Sequence, residues 1–372
     1  MAVIVSGAGV WNPPYVITNE ELVSAYNAYA EADNQAHAAA IEAGERAPTP
    51  TSSAAFIEKA SGIKARYAYV KDGILDLDRM YPRIEKRPDE ELSHQAEMAL
   101  HAAEAALADA GKTPADIDMV IVSCAYTERS YPAIAIEVQD ALGIQGMGFD
   151  MLVACSAATF GLQRAHDAVA AGSARAVLCI NPELTSPQVN YRDRDSHFIF
   201  GDVATAMVLE NDATAAPGKG FEVLGLRAVT QFSNHIRSNF GYVARAEGGD
   251  PYSTDRLFHQ EGRKVFKEVV PMAVEHLLAQ LESVDRTPAD IRRWWLHQAN
   301  LNMNQLITRK LIGEDPTTDR APTVLDEYAN TASAGSIIAF AKHRDDFEAG
   351  DVGVLCSFGA GYSIGSLVLR KR

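Results

Sequence analysis

The sequence predicts an α/β fold with a largely parallel sheet, built twice in one chain, and three observations carry that prediction. Strand-like apolar runs alternate with helical stretches from Asp89 onward. A polar segment, Asn211-Asp212-Ala213-Thr214-Ala215-Ala216-Pro217-Gly218-Lys219-Gly220, separates two halves of similar size, residues 1–210 and 221–372. Those halves share sequence: Met98 to Ile117 against Met272 to Ile291 gives nine identities in twenty positions, including Thr113-Pro114-Ala115-Asp116-Ile117 against Thr287-Pro288-Ala289-Asp290-Ile291. Ala171-Gly172 with Ala176-Val177-Leu178-Cys179 is likewise echoed by Ala349-Gly350 with Gly353-Val354-Leu355-Cys356. Two copies of one unit imply a pseudo-two-fold body. Convergent alanine-rich helices would not explain the shared Thr-Pro-Ala-Asp-Ile turn.

Each element follows from local pattern. The first strand runs into Gly7-Ala8-Gly9, where Asn12-Pro13-Pro14 leaves no room for a helix start, so the glycines read as a turn rather than a dinucleotide loop. Thr18-Asn19-Glu20-Glu21 has capping-box spacing and opens an alanine-rich helix reaching about Ala43. A Pro/Ser/Thr loop covers 45–53, and the charged, proline-punctuated segment Lys71 to Pro88 reads as a surface excursion. Then come a helix from Asp89 to Ala110, the strand Met119 to Cys124, and the helix Ala133 to Leu142. A strand ending at Cys155 follows, then the helix Ser156 to Ala171 and the strands Arg175 to Ile180 and Thr205 to Glu210.

With 372 residues, 47% of them hydrophobic and 22% charged, the chain can bury a large core. No apolar run approaches the roughly 18 residues of a membrane span, and Met1-Ala2-Val3-Ile4-Val5-Ser6 has no basic leader, so a cytoplasmic enzyme is expected. Cys124, Cys155, Cys179 and Cys356 lack paired spacing, which argues against a zinc site and a disulfide framework; no metal is expected. A net charge of −15 disfavours nucleic acid and anionic membrane.

The chemistry centres on Cys155. Its strand-to-helix turn would surround the thiol with free amides at the positive end of a helix dipole, lowering its pKa toward neutrality. Free cysteine is also a common buried hydrophobe, so the turn alone leaves both readings open. The repeat adds partners. His297, after the apolar Trp294-Trp295-Leu296, aligns with a strand end of the first half, and Ala329-Asn330-Thr331-Ala332-Ser333 occupies the turn equivalent to that of Cys155. Pseudo-symmetry brings Cys155, His297 and Asn330 toward one centre.

Cys155, His297-Gln298-Ala299-Asn300, Asn330-Thr331-Ala332-Ser333-Ala334-Gly335 and Phe358-Gly359-Ala360-Gly361 stand in fixed order. With Gly62-Ile63-Lys64-Ala65-Arg66, Tyr131-Pro132, Phe149-Asp150 and Phe200-Gly201-Asp202, they resemble the thiolase-superfamily condensing enzymes, specifically β-ketoacyl-acyl carrier protein synthase III, over nearly the whole chain. The resemblance implies a five-layered αβαβα body, a homodimer, and a decarboxylative Claisen condensation of an acyl-CoA primer with malonyl-acyl carrier protein. No further cofactor is implied. Cys155 would be the nucleophile, the amides of Cys155 and Ala360 the oxyanion hole, and His297 and Asn330 the donors that hold the malonyl thioester oxygen.

Several positions depart from the family pattern. Ala329 and Ala360 replace glycines. Phe56 and Ala60 stand where acetyl-primed members carry a tryptophan and an arginine that grip the nucleotide, while Arg194 matches the second arginine of that clamp. Asn302 replaces a carrier-docking arginine, and Arg309 and Lys310 match nearby basic positions. Tyr131 aligns with the aromatic that enters the partner subunit's acyl tunnel, with Phe200 as a further substrate-binding position. Extra segments at about 27–53 and 71–88, which family members of typical length lack, would extend or cover that tunnel. A primer other than acetyl, of medium chain length, is therefore expected. A papain-like cysteine hydrolase shares the order Cys, His, Asn but has no internal repeat and a different cysteine context. A non-catalytic subunit would typically lose the cysteine. A superfamily acyltransferase or head-to-head condensing enzyme would keep it.

Overall fold

The computed structural model describes residues 2–372. Nine strands form one sheet: β1 (Val3–Trp11), β2 (Met119–Cys124), β3 (Met147–Leu152), β4 (Ala176–Glu183), β5 (Val203–Asn211), β6 (Phe221–Ser233), β7 (Ile291–Leu296), β8 (Val352–Gly359) and β9 (Gly361–Lys371). Their spatial order is β7-β8-β9-β6-β1-β5-β4-β2-β3. The order mirrors itself about the β6/β1 seam, where only Ile4↔Glu222 and Val5↔Phe221 pair. The main helices are α1 (Asn19–Ala36), α2 (Ala54–Ser61), α3 (His94–Ala110), α4 (Ile134–Leu142), α5 (Ala157–Ala170), α6 (Gly262–Ser283), α7 (Leu301–Ile312) and α8 (Gly335–Lys342).

Three apolar cores divide these elements into five layers. Helices α3 and α4 cover one face of the first half through Ala99, Ala103, Ala106, Ile134 and Val138 against Val120, Val122, Ile180 and Val208. Helices α6 and α7 cover the second half through Val269, Leu277 and Ile307 against Ile291, Trp294, Val354 and Val368. Between the sheet halves lie α5 and α8, whose Leu162, Ala165, Ile337 and Phe340 pack with Ile121, Val177, Leu355 and Leu367 from both halves. The αβαβα body expected from the resemblance is therefore present.

The repeated turns match in detail. Thr113 (φ −115°, ψ 164°) and Thr287 (φ −119°, ψ 164°) each open a capping box over Pro-Ala-Asp. The Asp116 carboxylate accepts from the Thr113 amide at 2.8 Å and that of Asp290 from the Thr287 amide at 2.7 Å. Each carboxyl is held below its ordinary range by these bonds. The capping box at Thr18 and Glu21 is also formed.

Other expectations need correction. The sheet is mixed: β2/β3, β2/β4 and β7/β8 are parallel, whereas β1/β5, β1/β6, β4/β5, β6/β9 and β8/β9 are antiparallel. A parallel neighbour requires a crossover, and the chain returns from β4 to β5 and from β8 to β9 through connections without a crossover helix. Gly7 and Gly9 lie inside β1 rather than in a turn. A Cβ on Gly7 would meet Ala106 O at 2.5 Å and one on Gly9 would meet Ala102 O at 2.4 Å, so the glycines let α3 settle against the strand. The alanine-rich helix breaks at His37, before a short helix Ala38–Glu42. Helix α3 starts at His94, capped by Ser93, and β4 continues to Glu183. The 71–88 segment is not wholly superficial: Ile74 and Met80 are buried with Phe198, Ile199 and Phe200. Among the described residues no helix is long and apolar enough to cross a membrane.

Candidate active site

Cys155 lies in a 3₁₀ turn, Ala154–Ser156, between β3 and the first residue of α5. Ala154 is held at φ 45°, a left-handed conformation that a Cβ disfavours. Its counterpart in the second half is the 3₁₀ turn Ala332–Ala334 before α8, with Ala332 at φ 47°. Ser333 thus occupies the position equivalent to Cys155, and the two turns pack on one another. Gly359 closes over the Cys155 turn: a Cβ there would come within 2.6 Å of Cys155 Cβ.

A cavity of about 400 Å³ opens beside the sulfur. Its wall includes Cys155, His297, Asn330 and Gly359. Phe56 and Ala60 also line it, as do the apolar side chains of Phe200, Ile236, Phe258, Val265, Phe266 and Val269. The volume falls in the usual range for small-molecule sites.

His297 follows β7. Asn304 Nδ2 donates to its carbonyl at 2.8 Å, and its ring stands edge-to-face against Phe358, with centroids 5.2 Å apart. Burial pulls its pKa down to about 3, so the imidazole is neutral at physiological pH. Asn330 is fixed by strand-like contacts: its amide donates to Ile199 O at 2.9 Å and its carbonyl accepts from Gly201 N at 3.1 Å. Its Oδ1 accepts from the Ala332 amide at 2.9 Å, which assigns the side-chain NH₂ as the donor end. Gln298 ties both segments together, donating to Leu296 O at 2.8 Å while accepting from Val324 N at 2.9 Å. Asn300 caps α7 and donates to Ala60 O at 2.7 Å, joining α2 to the histidine segment.

The expected lowering of the Cys155 pKa is not found. Burial, with a smaller contribution from the Glu183 carboxylate, pushes the thiol up to about 12 against the effect of the Cys155 amide. No arginine or lysine other than Arg263 lines the cavity among the described residues, and no cation contributes to lowering the thiol pKa. Glu183 itself was not anticipated. It is buried at the end of β4 and accepts from Ala125 N at 3.1 Å, Ser333 N at 3.2 Å and the Ser333 hydroxyl. Burial raises its pKa to about 7. Its only sequence signal was a carboxylate ending an apolar strand. The wall residues Val265, Phe266 and Val269 were also missed, although their helical spacing marks one apolar face.

The remaining expected positions are dispersed. The Arg194 guanidinium stacks on Phe56, 4.1 Å from the ring centroid, and its Nε donates to Thr51 O at 2.8 Å. Phe200 is buried in the wall against Phe258. Tyr131 does not line this chain's cavity and is 79% exposed. Arg309 and Lys310 lie on α7, where Arg309 pairs with Asp315. Ala360 joins β8 to β9 beside Gly359. Ala329 is held at φ 56° and ψ −156°, a region that favours glycine.

Both halves match family models: 3-oxoacyl-acyl-carrier-protein (ACP) synthase III over residues 149–228 and its C-terminal model over residues 281–371. A β-ketodecanoyl-acyl-carrier-protein synthase of Pseudomonas aeruginosa is 54% identical over 349 residues, covering 94% of this chain and 100% of the relative. A β-ketoacyl-acyl-carrier-protein synthase III of Granulibacter bethesdensis is 28% identical, covering 99% of this chain and 98% of its own. The solved priming β-ketosynthase of the R1128 polyketide pathway shares the fold at a TM-score of 0.78 and 24% identity, covering 99% of this chain and 96% of that one. These matches remove the hydrolase reading, because the sequence likeness spans both halves of the repeat around the cavity. The chain is an acyltransferase of the condensing type and belongs to the 3-oxoacyl-acyl-carrier-protein synthase III family.

Proposed function

We propose that this condensing enzyme joins an eight-carbon acyl thioester to malonyl-acyl carrier protein through an acyl-Cys155 intermediate, yielding a ten-carbon β-ketoacyl product. The observation that carries this reading is the apolar wall of the cavity that also contains Cys155: Phe200, Ile236, Phe258, Val265, Phe266 and Val269. The name of the Pseudomonas relative supports the length, since a β-ketodecanoyl product less the two carbons from malonate leaves an octanoyl primer.

In the first half-reaction the Cys155 sulfur attacks the thioester carbonyl. Its proton leaves with the departing carrier thiol, and the amides of Cys155 and Ala360 stabilise the tetrahedral oxyanion. The malonyl thioester then loses CO₂, leaving the electron pair on an enolate whose oxygen takes hydrogen bonds from His297 and Asn330. The neutral imidazole, with a pKa near 3, suits a donor rather than an acid. The enolate carbon attacks the acyl carbonyl and the bond to Cys155 sulfur breaks, returning the thiolate, which takes one proton from solvent.

Phe56, Phe200 and Arg194 serve the substrate, with the Phe56–Arg194 stack standing in for the nucleotide clamp. Arg309 and Lys310 face an acidic carrier protein. The enzyme is a homodimer: β3 is a free sheet edge whose Met147 and Leu152 are 54% and 55% exposed, and Tyr131 is exposed as well. Tyr131 enters the partner's tunnel. Four free cysteines fit a reducing cytoplasm. Metal and redox cofactors have no part in these steps.

Intact-mass spectrometry with acyl-CoA thioesters of two to twelve carbons, followed by malonyl-acyl carrier protein, tests the reading. One adduct is expected, strongest for octanoyl and absent in Cys155→Ala, followed by a product two carbons longer. Stable acylation without chain growth would point to a simple acyltransferase and sink the condensation.

A further inference from the structure

Ser156 and Ser363 come from opposite halves of the chain, 207 residues apart, and both are buried. Ser156 follows Cys155 at the end of its 3₁₀ turn. Ser363 lies on β9, paired with Gly359 across the hairpin that bends at Ala360. The Ser156 hydroxyl donates to Ser363 O at 2.8 Å, and its oxygen lies 3.0 Å from Ser363 Oγ. Ser363 Oγ is also 2.8 Å from Ala360 O. Its one proton faces both acceptors, so the hydroxyl sits between Ser156 and the Ala360 carbonyl and links them. Glycines flank this bridge and let the two segments press together: a Cβ on Gly359 would lie 2.6 Å from Cys155 Cβ, and one on Gly365 would lie 2.4 Å from Thr159 Oγ1. Neither serine lines the cavity.

We propose that Ser363, through its bridge to Ser156, is a positioning residue for acyl transfer that fixes the spacing between the Cys155 and Ala360 amides. The inference rests on the acyl-Cys155 reading, in which those two amides hold the oxyanion. They belong to different halves of the chain, so their separation depends on how the halves touch. An oxyanion hole works when its donors lie about 2.7–3.1 Å from the oxygen on which charge develops, and a shift of about 1 Å forfeits much of the rate. The serine bridge joins the residue after Cys155 to Ala360 itself, and its directional bonds set a distance that apolar packing alone would leave loose. Because that oxygen is charged in the transition state and not in the bound thioester, loss of the bridge acts on the maximal rate rather than on binding. Loss of CO₂ from the malonyl thioester draws on His297 and Asn330 instead, which gives an internal reference.

The test compares wild type, Ser363→Ala, Ser156→Ala and the double variant in two assays. One follows Cys155 acylation by intact mass over a range of octanoyl-CoA concentrations; the other follows decarboxylation of malonyl-acyl carrier protein with the primer withheld. Ser363→Ala is expected to lower the maximal acylation rate by about tenfold, short of the roughly 100–1000-fold that loss of an oxyanion donor itself costs. The half-saturating octanoyl-CoA concentration and the decarboxylation rate should stay at their wild-type values. Ser156→Ala should act in the same direction, and the double variant should be no slower than Ser363→Ala, since both changes break the same bridge. Equal losses in the two assays would reduce the serines to general packing and overturn the proposal. Independent, multiplying losses in the double variant would overturn it as well. If wild type gains no octanoyl adduct, the acyl-Cys155 reading itself fails; if it does and Ser363→Ala matches its rate, only the role of the bridge is refuted.

Discussion

Replacing Gly359 with alanine should separate the position of the Cys155 sulfur, the proposed nucleophile, from the stability of the fold. The new Cβ would sit 2.6 Å from Cys155 Cβ, 3.1 Å from its nitrogen and 3.2 Å from its Cα. Carbon–carbon contacts settle near about 3.5–4.0 Å, so the turn and strand must part by about 1 Å. Overpacking on this scale costs about 1–3 kcal/mol. For 372 residues, an unfolding entropy of about 2.1 cal/mol/K per residue converts that cost to a Tm decrease of about 1–4 °C. The catalytic effect is larger, because a displacement of about 1 Å at a reacting group costs about 100-fold in rate. The assay is the rate of Cys155 acylation by octanoyl-CoA, followed by intact mass well below the Tm. Gly353→Ala is the control: its Cβ would lie 2.2 Å from Trp295 Cζ3 inside β8, away from the sulfur. It should destabilise the protein while the folded enzyme acylates at the wild-type rate. Wild-type acylation by Gly359→Ala would refute the claim that close approach of this strand fixes the sulfur.

Three further outcomes follow from the site. Ala329→Gly relieves the backbone at φ 56° and ψ −156°; after the entropy cost of glycine and the lost methyl burial, a net gain of up to about 1 kcal/mol is expected in urea unfolding, and a loss would contradict the strain. Because the folded-state pKa of Glu183 is raised from 4.5 to about 7, its contribution is full below pH 4.5 and is lost as pH rises through 7, amounting to about 3 kcal/mol. Glu183→Gln should remove that pH dependence, with a constant offset from the acceptor lost to Ala125 N; unfolding curves at about pH 5 and 8 decide, and an equally flat wild type would refute the assignment. Alkylation of Cys155 by iodoacetamide should rise roughly tenfold per pH unit from about pH 6 to 9, whereas a plateau near 7 would restore the low-pKa thiol.

What could be read from the sequence was what neighbouring residues decide among themselves. Thr113 and Asp116, like Thr287 and Asp290, build their turn from side chains three positions apart, so the repeat and its pseudo-symmetry were visible. That symmetry also explains how Cys155, His297 and Asn330 come to line one cavity. Gly7 and Gly9 were misread because their requirement comes from Ala102 and Ala106, nearly a hundred residues away. The thiol's pKa was misread for a similar reason: the helix start is local, but burial and Glu183 depend on how the chain closes. Arg194 and Phe56 could each be aligned with a family position, whereas their stacking depends on the packing of α2 against the 193–200 segment.

The twin turns carry a consequence for how a duplicated fold divides its labour. One copy presents a sulfur to the cavity, while its sibling presents a hydroxyl to the Glu183 carboxylate and is anchored by it. Since the siblings abut, the Cys155 turn leans on a buttress contributed by the opposite half of the chain. Duplication therefore supplied more than a second set of side chains. It gave the Cys155 turn a rigid neighbour of its own shape, with Asn330 three residues upstream in the same buttress, where Glu183 holds Ser333 through both its amide and its hydroxyl.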